Sequence, residues 1–126
     1  METAALGERE LDVMQYLWTH NSGTVSEVRD GLAARLAYTT VLTILRNLEA
    51  KGFLRREEEG RAHRYFPRIK QRVAQRRALR RLVDSLFRGS PAALLAHLVD
   101  EHDLSPEDVR RIAEGIADKP SRRNRP

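Results

Sequence analysis

Apolar residues recur at spacings of three and four as far as Gly52, and from Phe53 onward the period falls toward two. Spacings of three and four mark one face of an α-helix, whereas alternation marks a half-buried strand. Leu11, Met14, Leu17 and Trp18 define a first amphipathic helix between Gly7 and His20, broken by Asn21-Ser22-Gly23. Thr24-Val25-Ser26-Glu27 opens a second, predicted to run from Ser26 to Leu36 with Val28, Leu32 and Leu36 on one side. Val41, Ile44, Leu45 and Leu48 form the stripe of a third, closed at Lys51-Gly52, where glycine permits the left-handed turn that ends helices. From Phe53 to Pro67 the β-favouring Phe53, Leu54, Tyr65 and Phe66 flank a polar centre around Gly60, the pattern of a two-stranded hairpin. Three helices and a hairpin, with a short connection between the second and third helices, have the order of a winged helix-turn-helix.

Beyond the hairpin the helical period returns. Val73, Leu79, Leu82, Val83, Leu86 and Phe87 continue a stripe to Arg88-Gly89, and Ser90-Pro91 caps a helix carrying Leu94, Leu95, Leu98 and Val99. Ser105-Pro106-Glu107-Asp108 is a third start signal, with Val109, Ile112 and Ile116 behind it. Three short amphipathic helices cannot bury their stripes alone, so a second copy of the chain is the expected acceptor. Leu79, Leu82, Leu86, Leu94, Leu95, Leu98, Val109, Ile112 and Ile116 are the expected dimerisation residues. The predicted architecture is mostly α: a winged helix-turn-helix over residues 1–68, a helical dimerisation region over 69–118, and a disordered basic tail over 119–126.

Charge narrows the partner. The formal net charge is +5, but residues 1–68 hold ten basic and ten acidic side chains while residues 69–88 hold seven and one. An anionic partner suits that excess, and so does a solvated helix face. With no cysteine, disulfides, thiolate metal sites and cysteine nucleophiles are excluded. The four histidines are scattered, and His97 and His102 miss the spacing that aligns ligands on a helix, so no metal is expected. No cofactor loop or convergent acid, base and nucleophile appears, so an enzyme is not expected. The N-terminus lacks an export signal, and no apolar run approaches the roughly 18 residues that span a bilayer, which makes the cytoplasm the expected location.

On the third helix, a wheel of 100° per residue sends Thr39, Thr43, Arg46 and Ala50 away from the apolar stripe, with Leu42 and Asn47 flanking that face. Short polar or methyl-bearing side chains, joined by arginine and asparagine that form paired hydrogen bonds, are what a helix in the major groove needs. An ordinary solvated face is the competing reading. Gly60-Arg61-Ala62-His63-Arg64 adds cations at and after a flexible tip, and Arg61 and Arg64 are candidates for phosphate contact. Glu57-Glu58-Glu59 beside the tip are expected to point away from a duplex.

These stretches resemble the BlaI/MecI penicillinase repressor family: LDVMQYLW at Leu11 to Trp18, AYTTVLTILRNL at Ala37 to Leu48, KGFL at Lys51 to Leu54 and EGRAHRY at Glu59 to Tyr65. The likeness continues through Gly89-Ser90-Pro91 and Asp103-Leu104-Ser105, and covers Leu6 to Ala117. It implies a homodimeric repressor of a pseudo-palindromic operator in double-stranded DNA, commonly upstream of β-lactam resistance genes. It also implies a third helix in the major groove and a wing on the flanking backbone. Carried over by position, Thr39, Thr40, Thr43, Arg46 and Asn47 fall on the recognition helix and Arg61 on the wing. Family members are released when a membrane-bound sensor metalloprotease, directly or through a downstream protease, triggers cleavage at an Asn-Phe bond. The corresponding bond here is His97-Leu98, a departure that puts that switch in question. The C-terminal cysteines of a copper-responsive branch are absent. Two other readings stand beside this one: a docking module whose basic helix from Lys70 to Arg81 only solubilises it, and a repressor that senses a small molecule. No small-molecule ligand is expected, because the C-terminal segment is short for enclosing a volume of about 300 Å³.

Overall fold

A computed structural model describes residues 5–101 and 104–117, so the predicted tail at 119–126, His102 and Asp103 lie outside the described residues. The element order is α1 (Glu8–His20), β1 (Gly23–Thr24), α2 (Val25–Gly31), α3 (Tyr38–Ala50), β2 (Leu54–Glu59), β3 (Ala62–Pro67), α4 (Gln71–Leu86), α5 (Pro91–Glu101) and α6 (Pro106–Ala117). Two compact units divide the chain, Met1–Ala78 and Leu79–Pro126. The boundary falls inside α4, ten residues beyond the predicted 1–68 limit.

The first unit closes around Val13, Met14 and Leu17 of α1, Val25 and Val28 of α2, Val41, Leu45 and Leu48 of α3, and Phe53, Leu54 and Tyr65 of the hairpin. The predicted stripes supply most of this core, with Ile44 and Trp18 half-buried at its margin, but Leu11 of the expected α1 stripe is exposed and Val13 and Val25 are core residues outside the expected stripes. The Trp18 indole N–H donates to the Ile69 carbonyl at 2.8 Å, which ties the chain after β3 to α1. At the end of α3 the Gly52 N–H donates to Glu49 and the Phe53 N–H to Leu48, with Gly52 at φ 89°. That pair of bonds is the Schellman closure, which satisfies the last carbonyls and turns the chain into β2.

Two features differ from the sequence expectations. The second helix stops at Gly31 rather than at Leu36, and Leu32 is extended. A Cβ at position 31 would lie 2.2 Å from Cε2 of Tyr16, so the glycine is where α1 and α2 approach too closely for a side chain. Leu32 and Leu36 still pack on the core, but from an irregular turn. The sheet also has three strands in the order β1-β3-β2, not two, because Gly23 pairs with Tyr65 and Thr24 with Arg64. Thr24 serves both elements: its backbone pairs in the sheet and its hydroxyl accepts from the Glu27 N–H at 3.2 Å, capping α2.

In the second unit, Ser90 and Ser105 cap as expected, their hydroxyls each accepting a backbone N–H at 3.0 Å, from Ala93 and Asp108. Among its described residues only Val83 is buried, while Leu79, Leu82, Leu86, Leu95, Ile112 and Ile116 are exposed and Leu94, Leu98 and Val109 are half-buried. No helix among the described residues is long and apolar enough to cross a membrane.

Candidate nucleic-acid interface

The outward face of α3 follows from burial of the opposite one. With Val41, Leu45 and Leu48 fully enclosed, Thr39, Thr40, Thr43, Arg46 and Asn47 are all exposed. The Thr43 hydroxyl donates to the Thr39 carbonyl at 3.0 Å, so its hydrogen is used inside the helix. What remains for a partner is a methyl group and oxygen lone pairs, the first of which suits the methyl of thymine. Tyr38, the first residue of α3, is 44% exposed, and the Arg29 guanidinium of α2 lies over its ring at 5.9 Å. Helical spacing alone singled out neither side chain; the YTT run in the sequence marks the tyrosine, and Arg29 carries no sequence signal.

Charge in this unit is sorted by pairing. Arg9 meets Asp12, Lys51 meets Glu10, Arg55 meets Glu57, Arg56 meets Glu49, and Arg29 meets Asp30. Arg46 on α3 and Arg61 at the wing tip have no carboxylate partner among the described residues. Arg35, Arg68, Lys70, Arg72 and Arg76 of the same unit likewise have none among the described residues, but they lie outside α3 and the wing tip, so Arg46 and Arg61 are the uncompensated cations of those two elements. Burial acts on Glu10 to raise its pKa, but the hydrogen bonds from Lys51 and the Gly7 N–H outweigh it and hold the carboxyl below the usual range.

The wing tip turns at Gly60, φ 61°, with Arg61 exposed beside it. Of the three neighbouring acids, Glu57 is held by Arg55 and Glu59 by Arg64. Arg64, the other candidate for phosphate contact, is engaged within the protein. Its Nη1 and Nη2 donate to the two Glu27 oxygens at 3.0 and 3.1 Å, its Nε and Nη2 to Glu59 at 2.7 and 2.9 Å, and Nη1 to Ser22 Oγ at 3.2 Å. The hydrogen bonds from Arg64 lower the pKa of both carboxyls, and the two carboxylates raise that of Arg64. The predicted contacts thus fall into an exposed group on α3 and at the wing tip, and one arginine engaged within the protein.

In the second unit, His97 is exposed and Leu98 half-buried, both within α5, and the His97 ring meets Phe87 edge to face at 5.8 Å. Among the described residues no three His, Asp or Glu side chains are grouped to hold a metal ion.

Three helices around one core, an exposed polar face on the third and a cationic wing make this a winged-helix DNA-binding fold. Residues 6–118 match the penicillinase repressor family model, and the chain belongs to that family, the BlaI family of transcriptional repressors. It is 37% identical over 115 residues to the transcriptional regulator BlaI of Mycobacterium tuberculosis, spanning 86% of this chain and 81% of that one. Over 120 residues it is 23% identical to the penicillinase repressor of Bacillus licheniformis, with 94% of each covered. The solution structure of the DNA-binding domain of the repressor BlaI superposes with a TM-score of 0.51 at 32% identity, covering 56% of this chain and 90% of that domain.

Proposed function

We propose that this repressor acts as a homodimer on a pseudo-palindromic operator, with α3 in the major groove and the wing tip on the flanking backbone. The observation that carries the proposal is where the free cations stand: Arg46 and Arg61 are exposed and without a carboxylate partner among the described residues, on the two elements that a winged helix offers to a duplex. Thr39, Thr40, Thr43 and Asn47 complete the groove-facing set around Arg46, while Arg61 meets phosphate. The exposed leucines and isoleucines of the second unit support the dimer, since a second copy supplies the same apolar surface in return. Two recognition helices then lie about one duplex turn or a multiple of it apart, so the operator is an inverted repeat.

Targets among β-lactam resistance or cell-envelope stress genes follow from the kinship to a penicillinase repressor, and release by proteolysis at His97-Leu98 completes the proposal. That bond lies inside α5, so a protease gains it only after local unwinding of the helix. Gel-shift titration tests the DNA assignment: Arg46→Ala should relax sequence preference, whereas Arg61→Ala should weaken binding to all sequences evenly and lower the salt slope. Unchanged affinity in both variants refutes the interface. Incubating the chain with membranes that carry a sensor metalloprotease, then mapping the fragments by mass, tests the cleavage.

A further inference from the structure

We infer that Arg64 is a positioning residue that locks the wing onto the first turn of α2 and so gives Arg61 a fixed place from which to reach DNA. Its consequence for DNA rests on the reading proposed above, whereas the lock itself does not.

The need for a lock follows from the sheet. Strand β1 pairs with β3 only at Arg64 and Tyr65, so beyond Arg64 the hairpin runs on to its tip as two strands. A two-stranded hairpin is marginal on its own. From Arg64 to Arg61 is three residues, a lever of roughly 10 Å at the rise of a strand. A small tilt at its base moves the tip by several ångströms.

Arg64 is built to prevent that tilt. Its guanidinium joins Glu59 on β2, Glu27 on α2 and Ser22 in the turn before β1, using Nε, Nη1 and Nη2 together. Glu27 is in turn held by the Thr24 N–H at 3.2 Å, the reciprocal half of the α2 cap. The planar fork of arginine matches two carboxylates at once, which a single ammonium does not. The side chain is only 23% exposed, while Arg61 stands free. A direct phosphate contact by Arg64 would first have to break these bonds.

The two roles predict opposite signs for one substitution. With the full-length chain and a duplex selected by it from a random-sequence pool, Glu27→Gln should weaken binding if Arg64 is a lock. If Arg64 touches phosphate, removing that carboxylate frees the guanidinium and binding tightens. Arg64→Met should weaken binding about tenfold, the scale of a hydrogen bond to a charged group. In an Arg61→Ala background the same change should cost less than about twofold, because the two residues act as one unit.

Amide hydrogen exchange gives a readout that needs no DNA. In Arg64→Met, residues 59–63 should lose protection while α3 and the core keep theirs. Wild-type exchange at the tip overturns the lock. Binding by Glu27→Gln that is unchanged or tighter, or additive losses in the double variant, overturns its consequence. A wild-type chain that selects no duplex, yet whose tip still loosens in Arg64→Met, refutes the DNA reading and leaves the lock standing.

Discussion

The two compact units solve the problem of apolar surface in opposite ways. The first folds three helices and a hairpin around one closed core, and seven of its carboxylates pair with its cations. The second has equally well-formed and well-capped helices, yet among its described residues only Val83 is buried. Helix formation and core formation are therefore separable: caps and periodicity make a helix, but only a facing apolar surface buries it. The first unit contains that surface, and the second leaves most of its leucines exposed among the described residues.

Single substitutions break this contrast most sharply in the core. Leu45→Ala should cost about 2–5 kcal/mol of unfolding free energy, since it empties a fully enclosed site, and chemical denaturation reads it directly. Leu82→Ala with Leu86→Ala should leave the melting of the first unit unchanged but raise the dimer dissociation constant by about 10,000-fold or more, since the homodimer loses four leucines at about 1.5 kcal/mol or more each. Sedimentation at several protein concentrations checks it, and a monomeric wild-type chain would end the dimer proposal. Arg46→Ala should cost about 1–3 kcal/mol of binding to the preferred duplex with no loss of thermal stability.

Smaller effects sharpen the account of the first unit. The Tyr65 hydroxyl is buried without a hydrogen-bond partner, the single such side-chain atom among the described residues. Tyr65→Phe should therefore be neutral or stabilise by up to about 1 kcal/mol, whereas a loss of stability would reveal a partner for that oxygen. The pH effect should be smaller still, because solvent screens the groups involved. Hydrogen bonds from Arg64 hold Glu27 and Glu59 below the usual carboxylate range in the folded chain. Their contribution is complete above the unfolded value of about 4.3 and is lost as pH falls through the folded values. The difference in melting temperature between wild type and Arg64→Met should thus shrink as the solution is acidified below about pH 4.

The helices, their caps and the hairpin were legible as period and punctuation, because 3.6-residue and two-residue repeats are local properties of a chain. So was the exposed face of α3, which is the complement of its apolar stripe. The early end of α2 was not legible: the stripe through Leu32 and Leu36 continues in sequence, and only the packing of Tyr16 against Gly31 reveals that the helix has stopped. Strand β1 was hidden for another reason, since two residues carry no period and Thr24 reads as a helix cap, which it also is.

The amino-acid sequence by itself settles the order of the helices and the hairpin, the family and which face of α3 turns outward, since each depends on residues near one another in the chain. The tertiary structure alone decides which arginines are free. Glu27 and Arg64 are 37 residues apart, and the same side-chain type stands exposed at position 61 and bridged at position 64. A cation's role depends on which carboxylates the fold brings within about 3 Å of it, and no local pattern records that distance.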